Sequence, residues 1–215
     1  MKKNFLLIIL VVTLLVLCGC HSPSSTSQNK TETLQTEQGT QTTLLTAQEA
    51  YKQLAAEAYK WSADAKAYKL VGGDSHKDAV VDFTDDGKSL SWRFWFSSGE
   101  KREIRVYSFR NGKPYFYPEA SGGDPKKVNY EVSGFKDYWL IDSGKAFEIA
   151  RTKGIVKPLL AHLYAKGNFV TVPREVRNAA TPCNVWWEIW GKDESQVTRE
   201  IYIDASSGAI LYLSD

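Results

Sequence analysis

The chain has 215 residues, with 27 Lys and Arg against 25 Asp and Glu, and carries a formal net charge of +2. That charge is far from the strongly basic character of a nucleic-acid-binding protein. Three cysteines exclude a disulfide-dense scaffold, and three histidines leave little material for a zinc site. The length suits one domain or two small ones, and a charged content of 24% is typical of a globular protein.

The N-terminal residues have the pattern of an export signal. Lys2 and Lys3 precede an apolar run from Phe5 to Leu17. This run is shorter than the roughly 20 apolar residues of a membrane-spanning helix, although an uncleaved N-terminal anchor is the alternative. Both excess positive charges lie in this segment, which has no acidic residue, so the remaining side chains balance in charge.

The segment Leu17-Cys18-Gly19-Cys20 resembles the lipobox of bacterial lipoproteins, in which a small residue precedes the acylated cysteine. Gly19 supplies the small residue, whereas Cys18 departs mildly from the residues usual at its position. The resemblance implies a signal peptide over residues 1–19, palmitate or similar acyl chains on Cys20, and a cell-membrane protein facing outside the cytoplasm. Only Cys183 then remains, so no intramolecular disulfide is possible.

A polar tether is predicted over residues 20–43, between the lipid and the folded part. The tether consists mainly of Ser, Thr, Gln, Asn, Glu and Lys, and Leu34 is its only large apolar residue before Thr43. Such a composition cannot bury enough apolar surface to offset the entropy lost on ordering. We therefore expect a flexible spacer.

The first half of the remaining chain predicts one helix followed by strands. The helix covers Thr46–Ala63, because apolar residues recur there at helical spacing and Thr46 with Glu49 has capping-box spacing. Three strands are predicted over Leu90–Phe96, Glu103–Phe109 and Pro114–Tyr117, with connections at residues 97–101 and at Asn111-Gly112.

The second half predicts the same order of elements. A helix over Ser143–Thr152 ends at Gly154, and a second short helix covers Val156–Tyr164 with Pro158 in its first turn. Three strands follow, over Asn184–Trp190, Val197–Ala205 and Ala209–Leu213. The weak repeat predicts an α+β protein of two tandem units, residues 44–119 and 129–215, each with a helix on a small antiparallel sheet.

The second half resembles the PepSY domain, a family found in propeptides of secreted peptidases and in bacterial envelope proteins. The resemblance is carried by residues 145–150, 187–190 and 201–211. The first half is a degenerate copy, since Ser108 and Phe109 stand where Asp204 and Ala205 do. The resemblance implies a cystatin-like fold and a possible role in binding or restraining a peptidase, an association that transfers poorly between members.

Few residues offer catalytic or metal chemistry. We interpret Asp204 as a turn residue beside Gly208, which supplies a positive φ. Cys183 and His162 could act as nucleophile and base, but a cysteine leading into a strand and a histidine on a helix face are better read as structural. A metal site at Asp74, His76 and Asp78 would lie in a predicted flexible loop into which Lys77 intrudes. A calcium site at Asp82, Asp85 and Asp86 before Gly87 lacks the spacing of a calcium loop with its terminal Glu.

Aromatic strands are the remaining candidate for function. The candidate binding residues are Trp92, Trp95, Tyr107, Trp186 and Trp187, and Tyr115 and Tyr117 could extend them. These aromatics occupy both faces of their strands, but a helix covers only one face of a sheet. They either pack between the halves or form an exposed surface that grips a partner.

The sequence thus predicts a lipid-anchored, non-catalytic binding module, with a peptidase or another envelope protein as partner and neither a cofactor nor nucleic acid as ligand. The first alternative is a binder of a small molecule or cell-wall glycan on an aromatic-lined surface. The second alternative is a thiol hydrolase that uses Cys183.

Overall fold

A computed structural model of the protein describes residues 43–73, 83–110, 113–118, 134–166 and 184–215. These residues form two helices and eight strands, which confirms the α+β class. The elements in chain order are α1 Ala47–Trp61, β1 Lys66–Gly72, β2 Trp92–Ser98, β3 Glu103–Arg110, β4 Lys113–Phe116, α2 Ser143–Thr152, β5 Lys157–Ala165, β6 Val185–Lys192, β7 Thr198–Asp204 and β8 Ile210–Leu213.

All eight strands belong to one antiparallel sheet, in the order β4-β3-β2-β1-β5-β6-β7-β8. Each helix precedes four strands in the chain, and the two sets of four meet at β1 and β5 in the centre of the sheet. The two halves therefore share a single sheet, whereas the sequence predicts a small sheet for each. The division into two tandem units stays a prediction.

The two helices begin side by side and share hydrogen bonds. The capping box of Thr46 and Glu49 is confirmed at the start of α1. Asp142 caps α2 by accepting from the Ser143 amide at 2.7 Å, and it also accepts from the Gln48 amide of α1 at 2.9 Å. The Ser143 hydroxyl oxygen accepts from the Ala47 amide at 3.0 Å. Asp142 and Ser143, at the start of α2, thus provide acceptors for free backbone amides at the N-termini of both helices.

Both helices pack against the same face of the sheet, which we call the helix face. The core here combines alanines and larger apolar residues of the helices with large residues of the strands. From α1 come Ala50 and Leu54, and from α2 come Ala146, Phe147 and Ala150, all completely buried. Aromatic contacts join the layers: Tyr51 stacks on Phe96 with ring centroids 6.2 Å apart. Burial of this apolar surface is the main stabilising contribution.

The helix predicted over Val156–Tyr164 is wrong, since this segment forms β5. The strand pairs with β1 on one side and β6 on the other, so its backbone groups find partners along both edges. Pro158 lies opposite Gly191 at the end of β5, next to an irregularity in register, where a missing amide is tolerated. The other central strand, β1, lies outside the strands that the sequence pattern predicts.

The turn between β7 and β8 confirms the interpretation of Asp204. Its carboxylate accepts from the amide and hydroxyl of Ser206 at 2.8 and 2.6 Å, and Gly208 has a φ of +78°. Ile201 and Ile203 lie on the helix face, while Tyr202 lies on the opposite face, because successive side chains of a strand alternate. The closing segment is therefore a structural turn, with no role in chemistry needed to explain it.

Candidate functional site

The predicted aromatic residues divide between the two faces of the sheet. We call the face turned away from the helices the far face. Along β2, Trp92 points to the helix face and Trp95 to the far face, because successive side chains of a strand alternate. On β6, Trp187 points to the helix face and Trp186 to the far face.

Trp92, Trp187 and Tyr107 do not form a binding surface, which corrects the prediction for these three residues. Trp92 and Trp187 are completely buried on the helix face, and Tyr107 is 5% exposed. The Trp92 indole N–H donates to the Leu45 carbonyl at 2.7 Å, and the Trp187 indole N–H donates to the Ile141 carbonyl at 2.8 Å. Each carbonyl lies just before the helix of its own half, so both tryptophans anchor a helix start to the sheet.

Trp95 and Trp186 belong to a row of side chains across the centre of the far face. We call this set the Lys69 row: Trp95, Lys69, Tyr164 and Trp186, on β2, β1, β5 and β6. The Lys69 ammonium lies 4.7 Å from the centroid of the Trp95 ring. Trp95 is half-buried, and Trp186 is 5% exposed beside Tyr164. The structure brings Trp95 and Trp186 onto one face, but Trp186 is as buried there as Tyr107 is on the helix face, so of the five predicted residues only Trp95 is partly accessible.

A hydrogen-bonded cluster around Glu188 lies beside the Lys69 row on the far face. Glu188 is 8% exposed, although charged side chains are rarely buried without partners. Its carboxylate accepts from the Trp190 indole at 2.9 Å and from the Tyr202 hydroxyl at 3.0 Å. The second oxygen lies 2.7 Å from His162 Nδ1, which lies 2.8 Å from the Tyr164 hydroxyl. We call these five residues, with Glu200, the Glu188 network.

The two carboxylates of the network have pKa values shifted in opposite directions. Burial alone would raise the pKa of Glu188, but hydrogen bonds from His162 and Trp190, together with the charge of His162, lower it to about 2. Burial and the nearby charge of Glu188 raise the pKa of Glu200, although the Tyr202 hydroxyl, whose single proton the two carboxylates share, lies 2.5 Å from it. Glu188 is therefore the ionised acceptor of the network, and Glu200 the carboxyl that more readily keeps a proton.

The Glu188 network could not be predicted while His162 was assigned to a helix, because a helix would not bring it opposite Glu188. Once β5 is a strand, His162 lies directly opposite Glu188, which in turn lies opposite Tyr202. One feature of the sequence points to the network. Glu188 is the only acidic residue in the predicted strand Asn184–Trp190, where its neighbours are tryptophans and isoleucine. A lone charge in such a strand indicates either exposure or a built network of partners.

A separate concave site lies at the end of α1, next to the start of β1 and the turn at residues 134–138. This tyrosine pocket has a volume of about 310 Å³ and is lined by Tyr51, Tyr59, Ala65, Lys66, Ala67, Gly134, Phe135, Lys136, Asp137 and Tyr138. Tyr59 and Tyr138 are 45% and 39% exposed. Burial and a hydrogen bond with Tyr59 raise the pKa of Tyr51. The volume is at the lower end of those of small-molecule sites.

Several predicted features lie outside the described residues. They are the signal segment 1–19, Cys20, the tether up to residue 42, the boundary at residues 120–128, Cys183, Asp74, His76, Asp78 and Asp82. Asp85 and Asp86 are described and form a turn with Gly87, which has a φ of +73°. Within the described ranges, no three His, Cys, Asp or Glu side chains cluster as metal ligands, and neither helix is long and apolar enough to cross a bilayer.

Comparison with known proteins adds a single structural likeness. No protein-family model and no curated protein matches the chain, so the PepSY resemblance stays a prediction. The chain is similar to the crystal structure of a Clostridium difficile 630 protein described as a "putative lipoprotein". The two are 11% identical with a TM-score of 0.47, over 77% of this chain and 91% of the other. A likeness at this level carries no conclusion about function.

Proposed function

We propose that this protein is a lipid-anchored, extracytoplasmic binding module without catalytic activity, and that it binds an envelope protein on the far face of its sheet. The proposal combines the lipobox-like segment ending at Cys20 with the composition of the far face. An envelope peptidase is the partner class that the PepSY resemblance favours. The observation that carries the proposal is the Lys69 row, where a cation and a half-buried tryptophan lie on a face that neither helix covers.

Lipid attachment is testable with a matched pair of cysteines. Cys20→Ser should abolish incorporation of an alkyne-labelled palmitate analogue and release the protein from the membrane fraction, because no acyl chain then anchors it. Cys18→Ser should keep the label. Loss of the label in Cys18→Ser, or its retention in Cys20→Ser, would overturn the assignment of the lipid site.

Binding on the far face is testable by site-specific crosslinking in cells. A photo-crosslinking amino acid in place of Trp95 should give a covalent adduct with one envelope protein, identified by mass spectrometry and then shown to bind the purified chain. The matched control places the same group at Gln53, an exposed position of α1. The proposal fails if Trp95 gives no adduct, or if both positions give the same adduct.

The tyrosine pocket favours a second candidate function, the binding of a small molecule or a cell-wall glycan. Exposed tyrosine rings provide flat apolar surfaces with a hydroxyl at one end, which suits sugar rings. Titration of the full chain in detergent with a soluble peptidoglycan fragment should then show saturable binding that Tyr59→Ala weakens and Trp95→Ala leaves unchanged. Equal loss in both variants, or no binding, would count against this function.

A further inference from the structure

Lys69 occupies the centre of the sheet, on the inner strand that joins the two halves. Its far-face side chain lies between two aromatic rings from the neighbouring strands. The ammonium is 4.7 Å from the centroid of Trp95 and 5.9 Å from the centroid of Tyr164. The residue is half-buried, so its charge is partly removed from water and held in a defined position.

The ammonium of Lys69 lacks a counter-ion within the described part of the chain. None of the ion pairs there includes Lys69. Burial lowers the pKa of Lys69, and the positive charge of Arg93 lowers it further, while Glu188 partly opposes the shift. Holding a partly buried ammonium without a counter-ion is unfavourable, and an incoming anion would offset that cost.

The carboxylate that acts electrostatically on Lys69 is that of Glu188, and its oxygens already have hydrogen-bond partners. The oxygens of Glu188 accept from Trp190 and Tyr202 and lie 2.7 Å from His162. This carboxylate is therefore committed to its own network, which leaves the Lys69 charge available to a ligand. The acidic side chains Glu188 and Glu200 lie on β6 and β7, whereas the cations Lys69 and Arg93 lie on β1 and β2.

We propose that Lys69 receives a carboxylate of an acidic, extended segment of the protein partner, with Trp95 and Tyr164 as the walls of that site. This inference rests on the proposed function, since it names the chemistry that the far face selects. Ammonium and carboxylate are complementary in charge, and the flanking rings exclude water from the pair, which strengthens it. A basic segment would face like charge at the same point.

The test uses the full chain in detergent and fluorescently labelled short peptides of alternating Glu and Thr. Matched peptides carry Gln or Lys in place of Glu. We expect the Glu peptide to bind most tightly, and Lys69→Gln to weaken it about tenfold, while Lys69→Arg stays within about twofold because it keeps a cation between the rings. The control Lys52→Gln removes an exposed lysine of α1 and should change nothing.

The inference is overturned if the Gln or Lys peptide binds as tightly as the Glu peptide, if no peptide binds, or if Lys69→Gln behaves like Lys52→Gln. Thermal unfolding of each variant separates loss of binding from loss of fold. Crosslinking from position 95 separates this inference from the proposed function. If position 95 gives an adduct but the Glu peptide does not bind, only the inference of an acidic ligand is rejected. If there is neither an adduct nor peptide binding, the proposed binding on the far face is rejected as well.

Discussion

Trp92 and Trp95 lie three residues apart on β2 and face opposite sides of the same sheet. Trp92 is completely buried under the helices, and its N–H donates to a backbone carbonyl at 2.7 Å. Trp95 is half-buried and contacts the charge of Lys69 instead. On the helix face aromatic residues form the main core, while on the far face Tyr164, Trp186 and Tyr202 form a smaller buried cluster and Trp95 lies beside a charge. The comparison shows that residue type alone does not separate a core tryptophan from a binding one.

Trp92→Ala should have the largest effect on stability. Loss of this ring leaves a cavity under α1 and removes the anchor to Leu45, so we expect a loss of about 3–5 kcal/mol in the free energy of unfolding. Urea denaturation of the full chain in detergent measures it. A loss below about 1 kcal/mol would contradict the assignment of Trp92 to a close-packed core.

Glu188→Gln should cost about 2 kcal/mol at neutral pH, because it removes charge-assisted hydrogen bonds from a buried site. The folded-state pKa of about 2 lies below the ordinary glutamate value of 4.5. The stabilisation is therefore present above the unfolded value and is lost as the pH falls towards about 2. Wild type and variant should converge in acid, as followed by denaturation at several pH values. A difference independent of pH would exclude the charge as its cause.

Trp95→Ala sharpens the comparison with Trp92→Ala on the same strand. Because Trp95 is half-buried and its N–H anchors no helix, we expect a loss of about 1 kcal/mol, well below the cost at position 92. Binding, rather than stability, should be the property most affected. Equal destabilisation by the two variants would show that both faces of β2 are core.

Glu200→Gln should have the smallest effect, and of opposite sign. The pKa of this carboxyl is raised in the folded state, so the stability of wild type falls as the pH rises through that value. Removal of the charge should stabilise the protein at neutral pH by less than about 1 kcal/mol, since the group is partly solvated. The gain should vanish below the ordinary glutamate pKa of 4.5. Destabilisation at neutral pH would contradict the raised pKa.

The helix starts and turns could be predicted because their signals are local. The capping box at Thr46, the end of α2 near Gly154, and the turn of Asp204 with Gly208 depend on contacts within a few residues. The strands β2, β3, β6 and β7 were predicted within a few residues, since alternation and flanking turns mark them. Long-range pairing does not enter any of these predictions.

The central strands could not be predicted in the same way. The segment of β5 carries Pro158 and consecutive leucines, a pattern compatible with a helix, and pairing with β1 and β6 decides for the strand. Once the register is set, His162 meets Glu188 across two strands that are distant in sequence. The Glu188 network therefore depends on the register of β5.

The sequence by itself determined the α+β class, the position of both helices and the closing turn. It also predicts an export signal and a lipid site, which lie outside the described residues. Only the tertiary structure decided that one sheet joins both halves, and which tryptophans are core. The physical reason is that caps and turns are satisfied by neighbouring residues, whereas the side of a sheet that a helix covers depends on packing between distant segments. That packing buries Trp92 and Trp187 and leaves Lys69 beside Trp95 on the far face.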